Sequence, residues 1–316
     1  MKSNLAITCL LASLASPVAA GDFSSKTVTV EDPSPFHDAR RPVTNPVFSD
    51  LAVPRTKLHP VFIHQTMPAQ IDTTLGLLPV GGDLQLYAIQ AEFAVNERFA
   101  LVAAKDGYIV FEPNATFSRT SGWANLAAGA KYAFLYKPEQ QLATAFQLLY
   151  EIPSGDTDVW QGTGDGVFVP SLFFLKTAGK LQLANALGFR IPVDDADSSS
   201  FYNSAHVGYH LTEWLYPLLE LNWYRVTDPG VGESRFGAQA GGVVPAIANF
   251  EAGDLVNWGA RNADTFNDLV TLAVGFRTNC PKMDKVDFGF AWEFPLTDQQ
   301  ATILEDRFTF DVEIAF

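Results

Sequence analysis

The chain has 316 residues, 47% of them apolar and only 18% charged, with 25 Phe, 9 Tyr and 6 Trp. That is material for one large domain or two ordinary ones. The balance is acidic, 21 Lys and Arg against 35 Asp and Glu for a net charge of −14. With no basic cluster to neutralise phosphates, nucleic acid is excluded as a partner.

Residues 1–20 read as a secretory signal peptide: Lys2, an apolar run from Leu5 to Leu14, and the A-x-A-like end Val18-Ala19-Ala20. The run is far shorter than the ~20 apolar residues of a spanning helix, and no later segment holds 18 uninterrupted apolar residues. Once the signal is removed, Cys280 is the only thiol, a spectator or an intermolecular partner but never half of an internal disulfide. Residues 21–56 hold no periodic run and are punctuated by Pro33, Pro35, Pro42, Pro46 and Pro54. Proline removes ladder donors, so an irregular Pro-rich N-terminal arm is expected. Such an arm is either a flexible periplasmic leader or a segment that folds into a lumen and restricts it.

From residue 57 to 316 the pattern is one of strands. A weak strand at about 57–66 precedes a clear one at 84–95, where Tyr87, Ile89, Ala91, Phe93 and Val95 oppose Ala88, Gln90 and Glu92. Asn96-Glu97-Arg98 turns tightly into 99–111, and strands follow at about 123–136, 142–152, 166–177, 181–192, 201–211 and 215–227. Residues 228–265 form the longest excursion, before strands at about 266–278, 285–295 and 306–316. Long polar loops alternate with tight turns throughout, the asymmetry of an outer-membrane barrel. Aromatics near strand ends (Tyr108, Phe111, Tyr136, Tyr150, Trp214, Trp223, Phe294) suit interfacial girdles. The last strand separates its faces completely: Phe308, Phe310, Val312, Ile314 and Phe316 against Arg307, Thr309, Asp311, Glu313 and Ala315. A closed barrel in a bilayer puts the first set into lipid and the second into the lumen. The expected fold is therefore all-β, a transmembrane antiparallel β-barrel of about 12 strands in the bacterial outer membrane.

Two resemblances support this. A terminal phenylalanine such as Phe316 resembles the C-terminal signature of bacterial outer-membrane barrels, which implies engagement of the outer-membrane assembly machinery. Gly122-Trp123-Ala124-Asn125-Leu126 with Gly129-Ala130-Lys131-Tyr132, then Ile152-Pro153-Ser154-Gly155-Asp156 and Pro170-Ser171, is similar to an outer-membrane family of meta-pathway phenol-degradation proteins, often called transporters. The similarity covers residues 80–316, and Asn125 stands where Asp is more usual. It implies a barrel of the 12-stranded type that takes up small, often hydrophobic or aromatic compounds. The arm and the 228–265 loop fall outside that pattern.

Face assignment places Glu92, Lys131, Glu151, Arg190, His206, His210, Glu220, Arg277, Asp287, Glu293, Arg307, Asp311 and Glu313 on the lumen side. Charges of both signs there require water or partner charges. An acidic excess would favour cations in an open pore. His206 and His210 stand about 13 Å apart on a strand, too far to share a metal. The acidic loops Gly155–Asp158 and Asp194–Asp197 lack the register of an EF-hand. No catalytic residue, metal or cofactor is assigned, since no nucleophile elbow, P-loop or dinucleotide fingerprint is present. The expected function is passive uptake of a small-molecule solute through a barrel surrounded by lipid and lipopolysaccharide. Two alternatives remain open: a barrel-embedded hydrolase using Ser204 and His206, and an adhesive or structural surface barrel using loop 228–265.

Overall fold

The computed structural model of the protein describes residues 36–233, 242–265, 268–280 and 283–316, apart from the side chains of Cys280, Met283, Asp284 and Gln300. The stretch expected to be a signal peptide, the start of the arm with Pro33 and Pro35, and residues 234–241 of the long loop lie outside them. In chain order the strands are β1 (Lys57–Thr66), β2 (Gln70–Ile71), β3 (Leu78–Pro79), β4 (Gly82–Ala94), β5 (Phe99–Lys105), β6 (Tyr108–Pro113), β7 (Thr120–Trp123) and β8 (Leu126–Lys137). They continue as β9 (Leu142–Ile152), β10 (Val167–Ala178), β11 (Leu181–Pro192), β12 (Ser199–Tyr209), β13 (Leu215–Asp228), β14 (Asp268–Cys280), β15 (Met283–Pro295) and β16 (Asp306–Ala315). The described helix α1 (Val244–Ile247) is a single turn in the long loop.

β5 and β6 form one interrupted stave, β7 and β8 another, and β2–β3 is a small separate hairpin. The remainder makes a closed antiparallel barrel of 12 staves, each pairing with its chain neighbours. β1 closes the ring by pairing with both β4 and β16, with Phe62 opposite Tyr87 on one side and Phe310 on the other. The closure follows from the alternation. In β16, Phe308 and Phe310 are exposed outward while Arg307, Thr309 and Asp311 are buried inside. With each stave paired on both sides and no free edge, such a surface is stable in lipid and would aggregate in water.

Two irregularities shift the faces. The β5–β8 register slips between Ala103 and Lys105, so Ala104 and Lys105 both point inward, and Gly107 takes φ +126° at the break. A residue added by a bulge reverses every side chain beyond it. Phe111, expected in a girdle, is therefore buried inside the barrel. The β8–β9 register slips between Tyr132 and Leu135, and Tyr136, also expected outside, packs on Phe36 with ring centroids 5.4 Å apart.

The long loops fold over the outer mouth as an apolar lid. Phe111, Phe117, Trp160, Phe250 and Trp258 stack in a chain of ring contacts between 4.5 and 5.9 Å. Glu251 organises the long loop's return, accepting from Trp258 N (2.8 Å), Ala260 N (2.6 Å) and Ser198 Oγ (2.7 Å). Arg307 ties this lid to the wall through two 2.8 Å bonds to Asp254. The acidic loops cap local backbone and side chains: Asp156 accepts from Trp123 N and Asp197 from Thr163 Oγ1. Burial pushes the Asp197 carboxyl up to about 6, against the pull of Arg190, and also raises Glu251 despite its hydrogen bonds.

An acid with a raised folded pKa binds its proton more tightly in the folded state. It therefore supports the lid fully below its unfolded pKa and loses that support as pH rises through about 6. Asp197→Asn is expected to stabilise the protein at pH 7.5, on the order of 2 kcal/mol, and to change little at pH 4. Paired thermal or urea denaturation curves at the two pH values check this.

Candidate functional site

Twelve staves enclose a lumen wider than their side chains fill, and several inward residues are small. Ala133, Ala143, Ala145, Ala184 and Ala186 are all buried on the inner wall. Residues 36–56 occupy the space they leave. Phe36, Leu51, Ala52 and Val53 pack on these alanines with Phe173 and Leu175 in one apolar tier. Next to it Phe48 stacks on Tyr202 (4.4 Å) and beneath Arg190 (5.8 Å), while Val43 packs on Leu218, Ala273 and Ala291. Proline contributes to the shape: Pro42, Pro46 and Pro54 fix φ and interrupt the run of N–H donors, so the segment passes along the inside of the ladder without joining it.

Polar contacts carry the rest of the attachment. Glu220, on β13, accepts from Val43 N (2.8 Å), Thr44 N (2.7 Å) and Thr44 Oγ1 (2.5 Å). Its Oε1 also lies 2.8 Å from His206 Nδ1, on β12. Arg41 reaches Asp50 (3.1 Å), Gln90 (3.1 Å) and both ring nitrogens of His59 (2.7 and 2.9 Å). Arg277 donates to the backbone of Arg41 and Pro42 and pairs with Asp311 at 2.6 Å. Lys131 pairs with Asp50 of the arm (2.9 Å) and Glu92 of the wall (3.0 Å). Asn45 donates to Ser204 Oγ at 2.7 Å.

Of the residues assigned to the lumen side, Glu92, Lys131, Glu151, Arg190, His206, Glu220, Arg277, Glu293, Arg307, Asp311 and Glu313 are buried inside the barrel. Asp287 is partly buried, 3.0 Å from Arg40. His210 sits apart, half-exposed at the β12–β13 turn, edge-on to Tyr216 at 4.5 Å. Two subsets make no ion pair or hydrogen bond to the arm among the described residues. Glu151 is held by Lys105 (2.5 Å), Arg190 (3.4 Å) and Asn125 (2.9 Å), and Arg307 by Asp254, Gln65 and Glu293. Ser204 and His206 engage different partners, Asn45 and Glu220, and no hydrogen bond joins them among the described residues.

Sequence reasoning passed over Arg40, Arg41, Asn45, Asp50, Arg55, Lys57, His59 and Lys105. The arm residues carry no periodicity, and Lys105, given no face in the sequence, lies at the bulge. The inward alanines were the available signal, since a wall that small cannot fill its own lumen. The cavities lined jointly by arm and wall are small, about 20 Å³ beside Arg41 and His59 and about 10 Å³ beside Arg40 and His206. Each holds about one water at most.

No protein-family model and no curated protein matches the sequence. Among solved structures, an outer-membrane channel from Pseudomonas putida F1 superposes with a TM-score of 0.57 at 11% identity, over 83% of this chain and 96% of that one. The β-domain of the Bordetella autotransporter BrkA covers 83% of this chain and 100% of its own at 10% identity, with a TM-score of 0.49. The first of these likenesses is one of fold: this chain is a transmembrane β-barrel of the outer-membrane type.

Lys131 is 0% exposed and holds two carboxylates together. Its removal leaves Asp50 to Arg41 (3.1 Å) and Lys57 (2.7 Å) and Glu92 to Lys57 alone at 3.5 Å, so Lys131→Met is expected to be destabilising, by up to about 3–5 kcal/mol. Urea titration of the protein refolded in vesicles, followed by the gel mobility of the folded barrel, measures it.

Proposed function

We propose that the protein is a plugged outer-membrane channel for small molecules, in which residues 36–56 close the lumen and shift to let solute pass. The observation that carries this reading is the attachment of the arm: a segment lodged inside a closed barrel and held largely by ion pairs and hydrogen bonds. Such contacts are exchangeable, because water entering the lumen solvates the charges that the arm releases and offsets part of the cost of parting them. A purely apolar plug would have no such substitute. The barrel fold shared with a solved outer-membrane channel supports the same reading. The wall brings seven carboxylates (Glu92, Glu151, Glu220, Asp287, Glu293, Asp311, Glu313) and six cations (Lys57, Lys105, Lys131, Arg190, Arg277, Arg307) to the lumen. Removing the arm takes away Arg40, Arg41 and Arg55 together with Asp38 and Asp50, so the wall's excess of one carboxylate is left and an unplugged lumen favours cations modestly. The solute class is small and hydrophobic or aromatic, on the resemblance to the phenol-degradation barrels.

A reversible tether tests the plug. Asn45→Cys with Ser204→Cys, in a Cys280→Ser background, joins arm and wall where they already touch at 2.7 Å. In planar bilayers the oxidised protein is expected to be silent and the reduced protein to open. Deletion of residues 36–56 is expected to give a larger, cation-preferring conductance. Equal conductance in both redox states, or none after the deletion, defeats the proposal.

A further inference from the structure

The break in the third and fourth staves leaves a notch in the outer wall. Tyr87 is the last β4 residue paired with β6 and Ala91 the first paired with β5, so Ala88–Gln90 face the interruption at Asp106-Gly107. Beside it β7 stops at Trp123 and β8 starts at Leu126. The notch encloses about 720 Å³, within the ~300–1,000 Å³ typical of small-molecule sites. Its floor is small, made of Ala88, Gly107 and Ala124, and its walls are aromatic, chiefly Phe62, Tyr87, Tyr108 and Trp123. Tyr108 and Trp123 meet edge to face at 5.2 Å, which sets one wall upright.

One charged group opens into this apolar space. Asp106 Oδ1 accepts from Ile89 N at 2.9 Å, the N–H that the broken ladder leaves over. Oδ2 has no hydrogen-bond partner among the described residues, and the side chain is only partly buried. A carboxylate oxygen on a lipid-side wall is costly unless something donates to it. An acyl chain of the bilayer fills apolar space but donates nothing.

We infer that the notch binds a small aromatic molecule dissolved in the bilayer that carries one hydroxyl, with its ring against Tyr87 and Trp123 and its hydroxyl donating to Asp106 Oδ2. This deepens the uptake reading and rests on it for its biological sense, since it names where a membrane-borne solute is first held. The binding itself needs no movement of the arm and no flux.

The probe is 4-bromophenol, whose bromine quenches tryptophan, compared with 4-bromoanisole, of similar size but without the donor. In lipid nanodiscs, 4-bromophenol is expected to quench saturably above the linear background of bilayer partition, and Trp123→Phe removes the saturable part. Asp106→Asn keeps the acceptor for Ile89 N and replaces Oδ2 by a donor; it is expected to weaken 4-bromophenol tenfold or more, about the value of a hydrogen bond to a charged group. 4-Bromoanisole is expected to bind the unaltered protein at least tenfold more weakly than 4-bromophenol, a comparison that stands even if Asp106→Asn fails to fold. Quenching that stays linear, survives Trp123→Phe, or is equal for the two probes overturns the inference. Failure of the tethered or arm-deleted channel to conduct bears on the plug and leaves these binding results untouched.

Discussion

Charge buried inside a lipid-embedded wall is the constraint on which this structure depends. A strand that gives its apolar residues to the bilayer sends the alternate residues inward, and in this chain those include Lys131, Glu220, Arg277, Glu293, Arg307 and Asp311. None of them is tolerable alone at low dielectric. The barrel solves this within its own chain. Arg40, Asp50 and the backbone N–H groups of Val43 and Thr44 are brought to the wall charges by the arm, and Asp254 is brought by the longest outer loop. The arm and lid are thus counter-charges as much as fillers.

Packing and electrostatics divide the lumen between them. Alanines on β8, β9 and β11 make room for Phe36 and Leu51, whereas β13 and β14 present Glu220 and Arg277 to the stretch from Arg41 to Thr44, with Asp311 of β16 pairing Arg277 from behind. The apolar tier anchors and the polar tier orients. Arg277 reads the backbone of Arg41 and Pro42 as well as a carboxylate, so it discriminates the path of the arm and not only its charge. Beyond the arm, the lid closes the outer mouth with aromatic contacts and needs few charges, because Glu251 satisfies the loop backbone from within.

Much of the barrel was legible in advance, for a simple reason. Alternation with period two records which face meets lipid; β15 and β16 keep it without interruption, and β11 keeps it apart from Asn185. Phe111 and Tyr136 were placed outside because each lies beyond a bulge, and one extra residue inverts every later assignment. Asp106-Gly107 inside a strand was the local warning at the first bulge, and the second, near Ala133-Phe134, carried none. Lys105, the cation that neutralises Glu151, lies at the first bulge.

The sequence alone determined that the chain closes into a barrel of about 12 strands with long loops on one side, because lipid tolerates no unpaired backbone and the face pattern repeats along each strand. It also determined that charges of both signs enter the lumen. Only the tertiary structure decided what meets them. The partners of Glu220 and Lys131 lie some 175 and 80 positions away, in an arm without periodicity, and separations of that size leave no mark on local pattern. Which charge pairs with which is set where an irregular chain and a regular wall compete for the same enclosed volume.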